Sequence, residues 1–465
     1  MTDTTHISTV ADEWRALKPG IEKLFAQQWA DPELPGMEYR SSARLADWLE
    51  AHDFEVTRKA GSIPTAFVAR NGRAGGPVIA ILAEYDALPG LGNEAVAQRK
   101  GTAQIAGHAC GHNHIGPANA GAAIIAARAL QKLGMAGEVR VIGCPAEEIL
   151  WGKIALLQAG VFAGIDAILT SHGDYQTGAL SRPCQSVVSG EFIFSGEASH
   201  GGKALASNAL QAAEVAVSLA ETECAKNHPG ILLRHVLRKS GLMPSITPAE
   251  TRVWFTTRGY DFEAVQRAYE AVSSACAKAS QRSGTRFRQQ FIAESHGYLP
   301  NDVLGKTLFD AMKSVGPPQW SAEDLAFMQR LSATCSPEAE MTLNRDIRYF
   351  DSGQDYYGQD DGEVSWRIPL GRINWAYPEE VPIHHWAWTA LSGHRASHPG
   401  PLMGAHALAL GAVTLLSAPA RIAAAKTELA GRVKGKVLSE PRLGAMSTMI
   451  NDPAAFWDST WVEAN

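Results

Sequence analysis

The sequence predicts an α/β protein of two domains, and three observations carry that prediction. Short unbroken apolar runs, the clearest being Pro77–Ala83 (PVIAILA), suit strands buried on both faces. An Ala- and Leu-rich stretch, Pro117–Leu133, has helical character and ends at Gly134. Beyond residue 186 the pattern turns into a self-contained β-α-β-β-α-β order.

Taken in order, Pro77–Ala83 is followed by two further branched runs, Gly137–Gly143 (GEVRVIG) and Ile165–Thr170 (IDAILT). Strands alternating with helices imply a layered α/β domain. Then come a strand at Ser186–Ser195, a helix at Ala204–Lys226, and strands at Ile231–Lys239 and Ala249–Arg258. A helix at Phe262–Gln281 and a strand at Arg286–Ala293 complete the unit. This ferredoxin-like arrangement can bury its own core, so it is expected as an inserted domain over 187–296. The flanking parts, 1–186 and 297–465, then form one discontinuous domain. From about residue 436 the chain reads as an irregular tail or wrapping segment.

Lys plus Arg number 42 and Asp plus Glu 48, a net charge of -6 that gives no general attraction to nucleic acid or anionic membranes. The N-terminus, MTDTTHISTVADEW, lacks the basic and apolar regions of a signal peptide. The apolar stretch near 406–425 is broken by His406, Pro419 and Arg421, so it is expected as a buried helix pair and not a membrane span. Six dispersed cysteines fit a reduced, cytoplasmic protein.

The chemistry concentrates in a few phrases. In His108-Ala-Cys-Gly-His112-Asn-His114, thiolate and imidazole ligands crowd just ahead of the predicted helix, in what reads as a loop. Such groups suit zinc and similar divalent ions, although a polar helix start with incidental histidines has the same composition. Cys144-Pro-Ala-Glu147-Glu148 follows a buried strand, where α/β sheets place their sites. In an extended segment adjacent side chains diverge, so one carboxylate can bind metal while the other faces water; a solvated acidic turn is the plain alternative. His172 ends a strand and His398 precedes a helix, and single histidines of that kind are often structural.

Together these phrases resemble the M20 family of metallopeptidases and amidohydrolases. AEYDALPG (83–90), GHACGHNH (107–114), CPAEE (144–148), SH (171–172), GEASHGG (196–202) and SHPG (397–400) carry the likeness. Within the family, YLPN (298–301), SAEDLAF (321–327) and DGEVSWRIP (361–369) resemble the aminobenzoyl-glutamate hydrolase subunits. The resemblance implies one or two divalent ions, zinc or manganese foremost and cobalt also suitable, held by Cys110, His112, Glu148, His172 and His398. It implies Glu147 as general base and then acid. The inserted unit would be a lid that also mediates a homodimer, with His200 and Arg258 contacting substrate.

Some positions depart from the family pattern. Ser245 stands where an Asn is usual, Lys203 follows His200 without the common proline, and Glu84-Tyr85-Asp86 replaces the His-x-Asp of the peptidase branches, although it suits the amidohydrolase branch. His384-His385-Trp386 offers further substrate contacts, while packing is an equal alternative for Trp386 and Trp388. The expected activity is metal-dependent hydrolysis of the amide of an aryl- or acyl-amino-acid conjugate, with an anionic small-molecule substrate. Hydrolytic deamination of an aminoaromatic acid and a non-catalytic binding subunit are the alternatives.

Overall fold

The computed structural model describes residues 4–103, 106–203, 206–444 and 456–457. Its central sheet has eight strands. Their spatial order is Glu55–Arg58, Phe67–Arg73, Gly137–Cys144, Val78–Glu84, Ala167–Asp174, Leu370–Ala376, Gln176–Leu180 and Asn344–Phe350. The middle four, from Gly137–Cys144 to Leu370–Ala376, run parallel. Their carboxyl ends therefore open on one edge of the sheet, where α/β proteins bind ligands.

The apolar run at Val78–Glu84 is buried almost throughout, as its sequence requires. Leu370–Ala376 (LGRINWA) is a fully buried strand that the apolar-run criterion passed over, because Arg372 and Asn374 interrupt it. Arg372 is tolerated there because its guanidinium pairs with Asp361 at 2.8 Å and lies over the rings of Tyr298 and Tyr357. A buried charge needs such partners.

The helix expected from Pro117 starts a turn earlier, at His112, and runs to Leu133. Gly111, at φ 85°, turns the chain into the helix and Pro117 lies inside it. His112 and His114 are thus helical residues and not loop residues. Gly116 fixes where this helix end rests: a Cβ there would stand 2.6 Å from the carbonyl oxygen of Glu84. The bare glycine lets the helix start abut the end of the strand Val78–Glu84. The same helix packs against Thr4–Trp29 and Pro399–Leu416. The Arg395–Leu416 segment has the length and apolarity to cross a membrane, but 89% of its most apolar window is buried within the protein.

A second sheet is built from Arg286–Ser295, Ser186–Ser195, Glu250–Gly259 and Leu232–Lys239, in that order and antiparallel throughout. Helices Ala209–Asn227 and Phe262–Arg282 pack against it around Phe192, Phe194, Phe255 and Val272. The first helix begins later than the sequence pattern suggests. Asn208 caps it by accepting from the Gln211 N–H, and the expected start at Ala204 lies outside the described residues. The tail is irregular from Lys436 to Gly444 and crosses this unit, with Arg442 paired to Glu294 at 2.6 Å. Further on, Phe456 packs on Trp254, and the Trp457 indole donates to the Pro35 carbonyl at 2.8 Å. The rest of the tail, 445–455 and 458–465, lies outside the described residues.

Candidate metal centre

The site forms at the carboxyl ends of the parallel strands. Glu84 ends one strand and Asp86 follows it; Glu147 and Glu148 follow Gly137–Cys144; His172 lies near the end of Ala167–Asp174. Cys110 and His112 arrive at the helix start that Gly116 holds against Glu84.

Cys110, His112 and His172 bring ligand atoms within 4.8 Å of one another, and so do Cys110, Glu148 and His384. Cys110 belongs to both groups, with its Sγ 3.5 Å from His172 Nε2. Asp86 orders this arrangement. One of its oxygens accepts from His112 Nδ1 at 2.9 Å, and the other accepts from the Glu148 N–H at 2.9 Å. His112 is left with Nε2 facing inward, the usual result of a carboxylate standing behind a metal-binding imidazole. Glu147 Oε2 lies 3.7 Å from that nitrogen.

Glu147 and Glu148 are not in an extended segment, as the sequence had suggested. They occupy a short 3-10 turn, Glu147–Ile149, flanked by Ala146 and Leu150 at φ 55° and 59°. The carboxylates still separate, Glu147 toward His112 and Glu148 toward Cys110 and His384. His384 is also left-handed, at φ 58°. Non-glycine residues in this region carry strain, which gathers at functional sites.

The donor set fits divalent cations. His112 Nε2, Glu84 Oε2 and Glu148 Oε1 are buried without a hydrogen-bond partner among the described residues. Unpaired buried donors and acceptors are costly, and three converging on one region are what a cation would satisfy. Burial holds the His172 imidazole down to about 3, hence neutral and ready to ligate. Burial, reinforced by the Glu84 carboxylate, holds the Glu147 carboxyl well above its usual range.

A cavity of about 280 Å³ opens onto the cluster, lined also by Tyr175, Arg258, Tyr356, Asn374, Pro382 and Ile383. Of the residues expected from the sequence, the structure gathers Cys110, His112, Glu148 and His172 with Glu147 beside them, and Arg258 lines the cavity. His398 stands apart. Its Nδ1 is 3.9 Å from Glu22, its ring packs edge-on to Phe25, and it faces a separate groove beside Trp14 and His406. His384 takes the place expected for it, 3.4 Å from Glu148 through Nε2. Sequence reading put His384 among substrate contacts because His385 and Trp386 adjoin it. In the fold His385 caps the next helix, accepting from the Ala387 N–H, and Trp388 is fully buried, so the adjacent residues divide their roles.

His200 is exposed, on the short pairing of Ser199–His200 with Ile246–Thr247 and outside the cavity of this chain. Lys203 pairs with Glu197 at the surface. His108 and His114 are structural: His108 Nε2 lies 3.1 Å from the Gln28 carbonyl, and His114 is bracketed by Tyr377 and Ser397.

An α/β sheet bearing Cys, His and carboxylate ligands at its strand ends, with a spare carboxylate alongside, defines a metal-dependent amide hydrolase. Over 430 residues the chain is 30% identical to a p-aminobenzoyl-glutamate hydrolase subunit of Escherichia coli, covering 84% of this chain and 87% of that one. The chain belongs to the M20 family of metallopeptidases and amidohydrolases. Its fold is that of the YxeP protein of Bacillus subtilis, a dinuclear metal-binding M20 peptidase, at TM-score 0.55 and 20% identity over 87% of this chain and 99% of that one. It is also that of an aminobenzoyl-glutamate utilization protein from Klebsiella pneumoniae, at TM-score 0.59 and 14% identity over 88% and 97%. No family model matches the chain.

Proposed function

We propose that this protein hydrolyses the amide of an aryl- or acyl-amino-acid conjugate at the cluster of Cys110, His112, Glu148, His172 and His384. The observation that carries the reading is the pair of three-residue ligand groups sharing Cys110, with Glu147 beside them and unused as a ligand in either. Zinc or manganese, with cobalt as a substitute, suits this mixture of thiolate, imidazole and carboxylate. A divalent ion held there supplies Lewis acidity, polarising the amide carbonyl and acidifying water.

The protein's own groups do the rest. Glu147 accepts the proton of the attacking water and returns it to the leaving nitrogen. Asp86 keeps His112 in the tautomer that presents Nε2. Arg258, whose Nε is buried without a partner among the described residues, holds the anionic end of the substrate. The rings of Tyr175 and Tyr356, with Pro382 and Ile383, suit a flat aryl group.

The unit 187–296 serves as a ferredoxin-like lid and as the contact between two copies. Its edge strand Leu232–Lys239 leaves Leu232, Val236 and Leu237 exposed, which favours pairing with a second chain. In such a dimer His200 reaches the partner's cavity and steadies the oxyanion. Among the described residues the cysteines are all free, which suits a cytoplasmic location.

Incubation of the metal-loaded protein with p-aminobenzoyl-glutamate and a panel of acyl-amino acids tests the reading. The expected products are the free amino acid and the carboxylic acid in equal amounts. Ammonia without a new amino acid would overturn the amidase assignment.

A further inference from the structure

Behind the cluster lies a group of buried charges that the mechanism does not use. Lys153 is fully buried, its ammonium held between Asp360 and Glu84, at 2.7 Å from Glu84 Oε1. Asp360 also accepts from the Lys153 backbone N–H at 2.8 Å, which anchors the lysine at the start of its helix. One oxygen of Glu84 is thereby consumed. The other, Oε2, is buried with no partner among the described residues and stands 3.6 Å from His112 Nε2. Glu147 Oε2 stands 3.7 Å from the same nitrogen, and that nitrogen too is unpartnered among the described residues. The donor atoms of Glu84, His112 and Glu147 all lie within 4.8 Å of one another.

We propose that Glu84, His112 and Glu147 form an inner cation position, and that filling it switches the enzyme off. Because Asp86 holds His112 Nδ1, His112 has only Nε2 to give. An ion on the inner position takes that nitrogen away from Cys110 and His172. It also takes the carboxylate of Glu147, which then no longer moves a proton. The inner position offers oxygen and nitrogen alone, whereas both working groups contain the Cys110 thiolate. Lys153 keeps the position the weaker one by offsetting the charge of Glu84. Activity should therefore rise with the first equivalents of metal and fall with excess. This rests on the assignment of Glu147 as the base.

Cobalt(II) titration of the metal-free protein tests the proposal. Ions on the working groups add near-ultraviolet thiolate-to-cobalt charge transfer, and every bound ion adds visible ligand-field absorption. The inhibitory ion should add visible absorption without near-ultraviolet absorption, while activity falls several-fold. The Glu84→Gln variant keeps an oxygen for Lys153 and should move the inhibitory concentration up about tenfold or more, the scale on which a metal-site contact is felt. Inhibition that tracks a rise in thiolate charge transfer would overturn the proposal, as would an unchanged inhibition curve in Glu84→Gln. The spectra use the unaltered protein, so they decide the matter even if the variant does not fold. If no conjugate is cleaved at any metal level, the amidase assignment falls, and cobalt uptake without thiolate absorption still tests the inner position.

Discussion

His384 Nε2 lies 3.4 Å from Glu148 Oε2, and both share a ligand group with Cys110. The contact depends on His384 adopting φ 58°, with its N–H donating to the Ala109 carbonyl at 2.9 Å. The chain thus ties a strained loop to the residue next to Cys110. His384→Ala should weaken binding of one ion by more than about 100-fold, beyond the loss typical of an outer contact. His398→Ala should leave the metal content of the purified protein unchanged. Elemental analysis of the two variants checks both outcomes, and loss of metal in His398→Ala would return that residue to the site.

Glu147→Gln keeps the shape of the side chain and removes its capacity to move a proton. Turnover should fall by about 10²–10⁴, the usual contribution of a general base or acid, while metal stoichiometry stays as in the parent. Steady-state rates with matched elemental analysis separate this from a lost ligand.

Much of the site was legible because local order and chemistry coincide. Cys144-Pro-Ala-Glu147-Glu148 comes straight after a buried apolar strand, so its place at the sheet edge followed from the run before it. Cys110 and His112 announced themselves by density. The sequence put His398 ahead of a helix among the ligands and His384 in a loop among substrate contacts, and only long-range packing shows which of them joins the cluster. His384 is drawn to Ala109 and Glu148, whereas burial against Phe25 holds His398 down to about 4 in pKa. The strand Leu370–Ala376 was hidden because a buried arginine and asparagine interrupt it, and their partners, Asp361 and the distant Asp174, are found only in the folded chain.

Asp86→Ala removes the carboxylate that accepts from His112 Nδ1 and from the Glu148 N–H, leaving Nδ1 only the main-chain carbonyl of residue 86 at 3.1 Å. Metal affinity should drop by about 10–100-fold, as expected when the carboxylate behind a ligating imidazole is lost. Titration against a chromophoric chelator measures it, and an affinity equal to the parent's would show that Asp86 does not position His112.

Chelation should also cost stability. Glu84, Asp86, Glu147 and Glu148 crowd a buried region in which His112 Nε2, Glu84 Oε2 and Glu148 Oε1 lack hydrogen-bond partners among the described residues. An ion present at about 100 times its dissociation constant stabilises the fold by about 2.7 kcal/mol through mass action. Removal by EDTA should lower the denaturation midpoint accordingly, and re-addition of zinc or manganese should restore it. A midpoint indifferent to metal would mean that the cluster binds no ion in the folded state.

The tail gives the last prediction. Trp457 is 5% exposed and donates to the Pro35 carbonyl, beside the central sheet, while its neighbour Phe456 packs on Trp254 in the second sheet. Arg238 of the same sheet lies 4.7 Å from the centre of the Phe456 ring. Two adjacent aromatic residues therefore tie the Pro35 segment beside the eight-stranded sheet to the four-stranded sheet. Truncating a buried aromatic costs about 3–5 kcal/mol in a rigid core, and a terminal segment able to relax should lie at or below that range. Trp457→Ala should lower unfolding free energy by about 2–3 kcal/mol without altering metal content, because Trp457 offers no ligand atom to the cluster. Denaturant titration together with elemental analysis checks both parts. If stability were unchanged, the buried pair would not be tying the Pro35 segment to the four-stranded sheet.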